Sequence, residues 1–181
     1  MKLFFIFALI LMTSCATEND QVEDTSEIAP VPFPRNYKSF YAGMSVDELF
    51  VNAKEENFYL TGECSKWTRL YDGEIIGPKL ILESGSVILT AYPIDGRIAR
   101  LEFDGDNDPF FHGDLTDIYE NFGGYKKNGS KRTFSQDSLK THIDKSRDVL
   151  ELTHNSLWGK WMDSETEFME NLKTKIQEKY S

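Results

Sequence analysis

Cysteine is scarce in this chain. Its 181 residues hold 2, Cys15 and Cys64, so a scaffold built on several disulfides is excluded. A basic excess is also absent: 20 Lys and Arg stand against 30 Asp and Glu, a formal net charge of -10 at pH 7. Phosphates attract proteins through clustered Lys and Arg, so this balance argues against nucleic acid as a partner and against broad adsorption to anionic lipid. Apolar runs are short. The first, Leu3 to Met12, has about half of the roughly 20 residues that a spanning helix needs. The histidines, His112, His142 and His154, have no ligand spacing, and no paired-cysteine site, phosphate loop or Gly-x-Ser-x-Gly elbow occurs. No cofactor, metal site or catalytic residue is therefore expected.

What is present begins with an address. Lys2, the apolar run to Met12, and the small polar pair Thr13 and Ser14 before Cys15 have the three-part layout of a secretory signal. The stretch Leu11-Met12-Thr13-Ser14-Cys15 resembles the lipobox of bacterial lipoproteins. That resemblance implies cleavage before Cys15, diacylglycerol on its thiol and acylation of the new amino terminus. It implies a cell-envelope protein held to the membrane by lipid. Several acyl chains at about 0.8 kcal/mol per buried methylene make such an anchor effectively permanent. Ala16 lacks the acidic character associated with inner-membrane retention, so the resemblance favours the outer membrane, with the domain facing the periplasm or, given Glu18 and Asp20, the cell surface. Cys64 then has no partner in the chain and reads as a small buried hydrophobe.

Three regions follow: a signal peptide over 1–14, a tether over 15–36, and one globular domain over 37–181. The tether carries Glu18, Asp20, Glu23, Asp24 and Glu27, then Pro30, Pro32 and Pro34; charge repulsion and proline stiffness both extend such a segment. Phe33, Tyr37, Phe40 and Tyr41 suggest that its far end docks on the core. In the domain, Ser45 and Glu48 spell a capping box and Met44 and Leu49 a hydrophobic staple, predicting a helix to about Glu56 with Val46, Leu49, Phe50 and Ala53 on its apolar face. A meander is expected over Lys79 to Glu83, Ser86 to Tyr92 and Arg97 to Phe103, turning at Ser84-Gly85 and Asp95-Gly96. In the third strand Ala99, Leu101 and Phe103 alternate with Arg100 and Glu102, as in a sheet with one wet face.

A second helix is predicted from Asp114 to about Phe122, then a hairpin about Asn128-Gly129, an ambiguous segment from Ser138 to Ile143, and a strand over Asp148 to His154. Ser164 and Glu167 read as the cap of a closing helix whose stripe of Phe168, Leu172, Ile176 and Tyr180, with Met169 beside it, should cover the sheet. The expected class is α+β, an antiparallel sheet with a meander, helices packed on one face and an amphipathic C-terminal helix. Gly43-Met44-Ser45-Val46-Asp47-Glu48-Leu49 and Gly113-Asp114-Leu115-Thr116-Asp117-Ile118 look alike, which raises duplication of a helix-plus-sheet unit; helix starts also share such residues for capping alone. The first segment resembles the start of small lipoproteins of the outer-membrane assembly machinery, which implies an interaction module.

Few residues suggest chemistry. Asp104-Gly105-Asp106-Asn107-Asp108 alternates carboxylates as a calcium loop does, yet Pro109 replaces the turn glycine and Leu115 the bidentate Glu, so a solvated turn is expected. Lys126, Lys127, Lys131 and Arg132 gather about the Asn128-Gly129 turn, either as a solubilising hairpin tip or as a contact for an acidic partner. Trp158 and Trp161 read as a core cluster. The leading expectation is a lipid-anchored, non-enzymatic envelope protein that binds or assembles a protein partner. The alternatives are an inhibitor or immunity protein against a basic envelope toxin or hydrolase, and a hydrolase with an unrecognised carboxylate site.

Overall fold

The computed structural model describes residues 33–106 and 108–180. The signal, Cys15, the tether up to residue 32, and Asn107 of the acidic loop lie outside the described residues. The chain meets the core at Phe33, which packs on it, and the Thr141 hydroxyl donates to the Pro34 carbonyl. A short ladder of β1 (Asn36–Tyr37) and β2 (Phe40–Tyr41) then buries Tyr37 and Phe40.

Helix α1 (Val46–Glu55) starts as its sequence predicts. The Ser45 hydroxyl accepts from the Glu48 amide at 3.1 Å, and Glu48 accepts from the Ser45 amide at 2.7 Å. Leu49 and Ala53 are buried, but Phe50 is not part of the packed face; it stays 40 % exposed. Helix α2 (Pro109–Asn121) begins at Pro109 and not at Asp114. Asp108 is its cap, accepting from the Phe110 and Phe111 amides at 2.9 Å each, while Pro109 occupies a first-turn position where no N–H is needed. Gly113 is thus inside the helix, and Phe111 and Leu115 supply the buried face.

Eight strands form one antiparallel sheet. They are β3 (Tyr59–Cys64), β6 (Lys79–Ser84), β7 (Val87–Ile94), β8 (Arg97–Asp104), β9 (Tyr125–Asn128), β10 (Lys131–Gln136), β11 (Leu139–Asp144) and β12 (Val149–His154), in the spatial order β3-β6-β7-β8-β12-β11-β10-β9. A separate hairpin of β4 (Thr68–Arg69) and β5 (Ile75–Ile76) is inserted between β3 and β6. The turn residues Asp95 and Gly96 both take positive φ, 51° and 73°, the geometry a two-residue hairpin loop demands. The segment that read ambiguously resolves as strand β11.

The element order repeats. Cap Ser45, α1 and the meander β3-β6-β7-β8 are followed by cap Asp108, α2 and the meander β9-β10-β11-β12, and the two fourth strands pair at the centre of the sheet. A glycine before each cap donates across to the closing part of its own half: Gly43 to the Ile98 carbonyl at 2.7 Å, Gly105 to the Asp148 carbonyl at 3.1 Å. The repeat therefore aligns Ser45 with Asp108, not Gly43 with Gly113.

One face of the sheet carries α1 and α2. Leu82, Leu89, Leu101, Phe103, Leu150 and Leu152 pack there with Leu49 and Phe111 in the main core. The closing helix α3 (Asn155–Tyr180) begins directly after β12 and lies on the opposite face, where Leu157 and Trp161 pack with Ala99 against Tyr92, Ile94 and Trp67. A bulge at Tyr92/Pro93 turns Ala99 to that side. Ser164, which read as the cap, is inside the helix; its hydroxyl donates to the Trp161 carbonyl at 2.7 Å and accepts from Trp67 Nε1 at 3.1 Å. The distal stripe stands beside the inserted hairpin. Phe168 stacks on Trp67 with centroids 6.2 Å apart, Leu172 is half-buried, and Ile176 is exposed. None of the described helices is long and apolar enough to cross a membrane.

Candidate protein-docking face

Strand alternation dictates what the face opposite α1 and α2 presents. If Leu82, Leu89, Leu101 and Leu152 point to the core, their neighbours point away. Following the register from strand to strand, Gly62, Ile81, Thr90, Glu102, Glu151, His142, Thr133 and Lys126 form one row across all eight strands. A second row beside it includes Tyr59, Glu83, Ile88 and Asp104. The first turns of α3 cover the Tyr92–Ala99 end of this face. Tyr59 at 70 % and Ile88 at 42 % remain exposed among the polar groups.

At the centre, Glu102 and Glu151 stand directly opposite each other on β8 and β12. Like charges so placed repel. Arg100 relieves this: one terminal nitrogen lies 2.8 Å from Glu102 and 2.7 Å from Glu151. The guanidinium lies 5.0 Å from the ring centre of Trp158 and 5.7 Å from that of Tyr92. Trp158 stacks on Trp161 with centroids 4.9 Å apart, so the start of α3 fixes the arginine that ties the carboxylates. Burial, then Glu102, raises the Tyr92 hydroxyl pKa against the opposing pull of Arg100. Next along the row His142 is half-buried and 2.9 Å from the Thr133 hydroxyl; burial lowers its pKa despite Glu151. Asp144 is almost fully covered, and burial disfavours its charge. Hydrogen bonds from Ser146, Lys131 and Ser130, with the Lys131 charge, outweigh that and bring its pKa down to about 2.

The basic cluster about Asn128-Gly129 does not form one patch. Lys126 and Lys131 belong to the open face, and Lys131 pairs with Asp144 at 3.2 Å. Lys127 and Arg132 belong to the helix side, where Arg132 lies over the rings of Tyr119 and Tyr125 at 3.6 and 3.9 Å and donates to the Tyr119 carbonyl. Arg132 is therefore part of the packing of α2 on β9. Cys64, half-buried at the end of β3, lies 3.1 Å from the Lys66 carbonyl. Asp108 of the acidic loop serves as a cap, and its pKa is lowered by hydrogen bonds from Ser86 first and then from the Phe111 and Phe110 amides. Among the described residues no group of three or more His, Cys, Asp or Glu is placed to hold a metal ion. His112 pairs with Asp148 at 2.6 Å and His154 with Ser156 at 3.2 Å, so the three histidines have three separate settings.

Sequence reasoning saw the wet face of β8 but not its centre. Glu151 alternates with Leu150 and Leu152 just as Glu102 does with Leu101 and Phe103, so both carboxylates could be assigned to a wet face. That β8 and β12 are neighbours could not be read. No protein-family model matches the chain, and neither a curated protein nor a solved structure matches it.

Proposed function

We propose that this chain is a lipid-anchored envelope protein, attached through Cys15, that holds a protein partner on the open face of its eight-stranded sheet without acting as an enzyme. The observation that supports this most is the row from Gly62 to Lys126, which crosses every strand; α3 covers its flank and the β4–β5 hairpin walls its Gly62–Ile81 end, leaving Thr90 to Lys126 between them. A broad face with exposed Tyr59 and Ile88 among polar groups has the mixed character of a non-obligate interface. Glu102 and Glu151 are tied by Arg100 and are spread on a sheet face, which favours a contact role for them over acid–base work. The lipobox resemblance supports the anchor, and the acidic, proline-rich tether suits a domain held away from the bilayer.

Glu83, Glu102, Asp104 and Glu151, on three strands of the same face, favour a basic surface on the partner. An inhibitor or immunity role against a basic envelope enzyme is the second reading this charge supports.

Ile88→Lys together with Thr90→Arg tests the face; the new cations stand beside Glu83, Asp104 and Glu102, so the sheet is not strained by like charges. The pair is expected to abolish partner capture from intact cells while leaving the urea midpoint of the domain within error of the parent. Capture that survives the pair, with the fold intact, rejects the face as the docking site.

A further inference from the structure

The distal half of α3 has an apolar edge that its own chain leaves uncovered. Three of the large apolar side chains that remain exposed stand on this helix at seven-residue intervals: Met162 at 43 %, Met169 at 46 % and Ile176 at 41 %. Seven-residue spacing keeps side chains in phase along a helix–helix seam. They lie apart from the packed side of the helix, which Leu157, Trp161 and Phe168 mark by their contacts with Trp67 and the sheet. Met169, Leu172 and Ile176 also line an open groove of about 540 Å³ whose other wall is Arg69, Gly73 and Ile75 of the β4–β5 hairpin. The turn of that hairpin adds Leu70 at 39 % exposure and a fully exposed Tyr71.

Charge along the same stretch is segregated. Asp163, Glu165, Glu167 and Glu170 come first with no base among them, and Lys173, Lys175 and Lys179 follow with a single acid, Glu178. The helix macrodipole does not account for the acids, because its effect is confined to the first and last turns and these residues lie well inside a helix that starts at Asn155. A parallel pair of such helices would set acids against acids. An antiparallel pair sets the acidic stretch of each copy against the lysines of the other.

We propose that the distal half of α3 is a homodimer seam, in which two copies of this chain pair antiparallel about a two-fold axis near Met169. The axis sets Met169 of one copy against Met169 of the other and Met162 against Ile176, and it brings Asp163 and Glu165 of each copy level with Lys175 and Lys173 of the second. An interface that uses the same patch twice closes on itself and stops at two chains. The seam covers the groove, and the exposed hairpin turn widens the buried area beyond the helices. It lies apart from the rows of the open sheet face, so the dimer and the partner-binding reading stand or fall separately.

Sedimentation of the full chain, extracted from membranes in detergent, measures the protein mass directly. A dimer is expected, and Met169→Glu should halve the protein mass while leaving the circular dichroism spectrum of the folded chain unchanged, because Met169 is half exposed. In a Cys64→Ala background, Met162→Cys and Ile176→Cys should each give no disulfide dimer alone and a disulfide dimer when co-expressed. A parent chain that is monomeric across the micromolar range, or a dimer that persists in Met169→Glu, overturns the seam. A disulfide from either single-cysteine variant alone overturns the antiparallel arrangement.

Discussion

Arg100 is the residue on which the centre of the sheet depends. One terminal nitrogen ties two carboxylates on adjacent strands while the planar group lies by the rings of Trp158 and Tyr92, so the side chain both bonds and stacks. Arg100→Ala leaves Glu102 and Glu151 opposed without a cation and removes the stem from the aromatic cluster. A loss of about 1 to 3 kcal/mol is expected in urea unfolding. Arg100→Lys should recover only a minor part, since an ammonium cannot stack and bridge in the same geometry. Asp144 gives a pH signature. Its folded pKa is depressed to about 2, below the ordinary value near 3.9, so its stabilising effect is complete above about pH 4 and is lost as pH falls through about 2. Acid titration of stability should show roughly 2 kcal/mol lost across that window and a smaller loss in Asp144→Asn. Equal acid sensitivity in the two proteins would contradict the assignment.

At the scale of elements, α3 does two things along its length. Trp161 is buried between Trp67, Tyr92 and Trp158, and its removal leaves a large cavity; Trp161→Ala should cost about 3 to 5 kcal/mol. Leu172 lines an open groove, so Leu172→Ala should cost well under the 2 to 5 kcal/mol of a sealed core site. Equal urea midpoints for the two variants would contradict this division. The four-residue spacing of Phe168, Leu172 and Ile176 was legible as a helix, but its partner was not. Nothing local tells that the β4–β5 hairpin, inserted through Trp67, stands where the sheet was expected. Ser164 and Glu167 have the residues of a cap, yet the helix runs through them because Leu157 and Trp161 already anchor an earlier turn. Asp108-Pro109 is a stronger start than Asp114, because Asp108 accepts from two first-turn amides and Pro109 needs no N–H partner there, while the alternation of Asp104, Asp106 and Asp108 gives the same residues the look of an ion loop. By contrast, the Ser45 box and the Asp95-Gly96 turn were legible, since each is decided by bonds within a few residues; the hairpin after Tyr125 was legible too, but its loop is Gly129-Ser130, one residue later than Asn128-Gly129, because Asn128 still pairs with Lys131.

At the scale of the whole molecule, the repeat of cap, helix and four-stranded meander produces one continuous sheet by pairing β8 with β12. The α+β class and the antiparallel meander could be read because alternation and turn residues are local. The pairing at the centre is long-range, and with it came the features on which the proposed function rests: the row from Gly62 to Lys126, the apposition of Glu102 and Glu151, and the split of the basic cluster between two sides. With α1 and α2 on one side, and α3 covering only the Tyr92–Ala99 end of the other, the sheet is left with a broad surface that has a direction.

Site-specific photocrosslinking in intact cells tests that surface most directly. A photoreactive residue at Thr90, on the open face, should give one discrete protein adduct, whereas the same residue at Glu120, on the exposed side of α2, should give none. Absence of an adduct from Thr90, or the same adduct from both positions, would contradict the account.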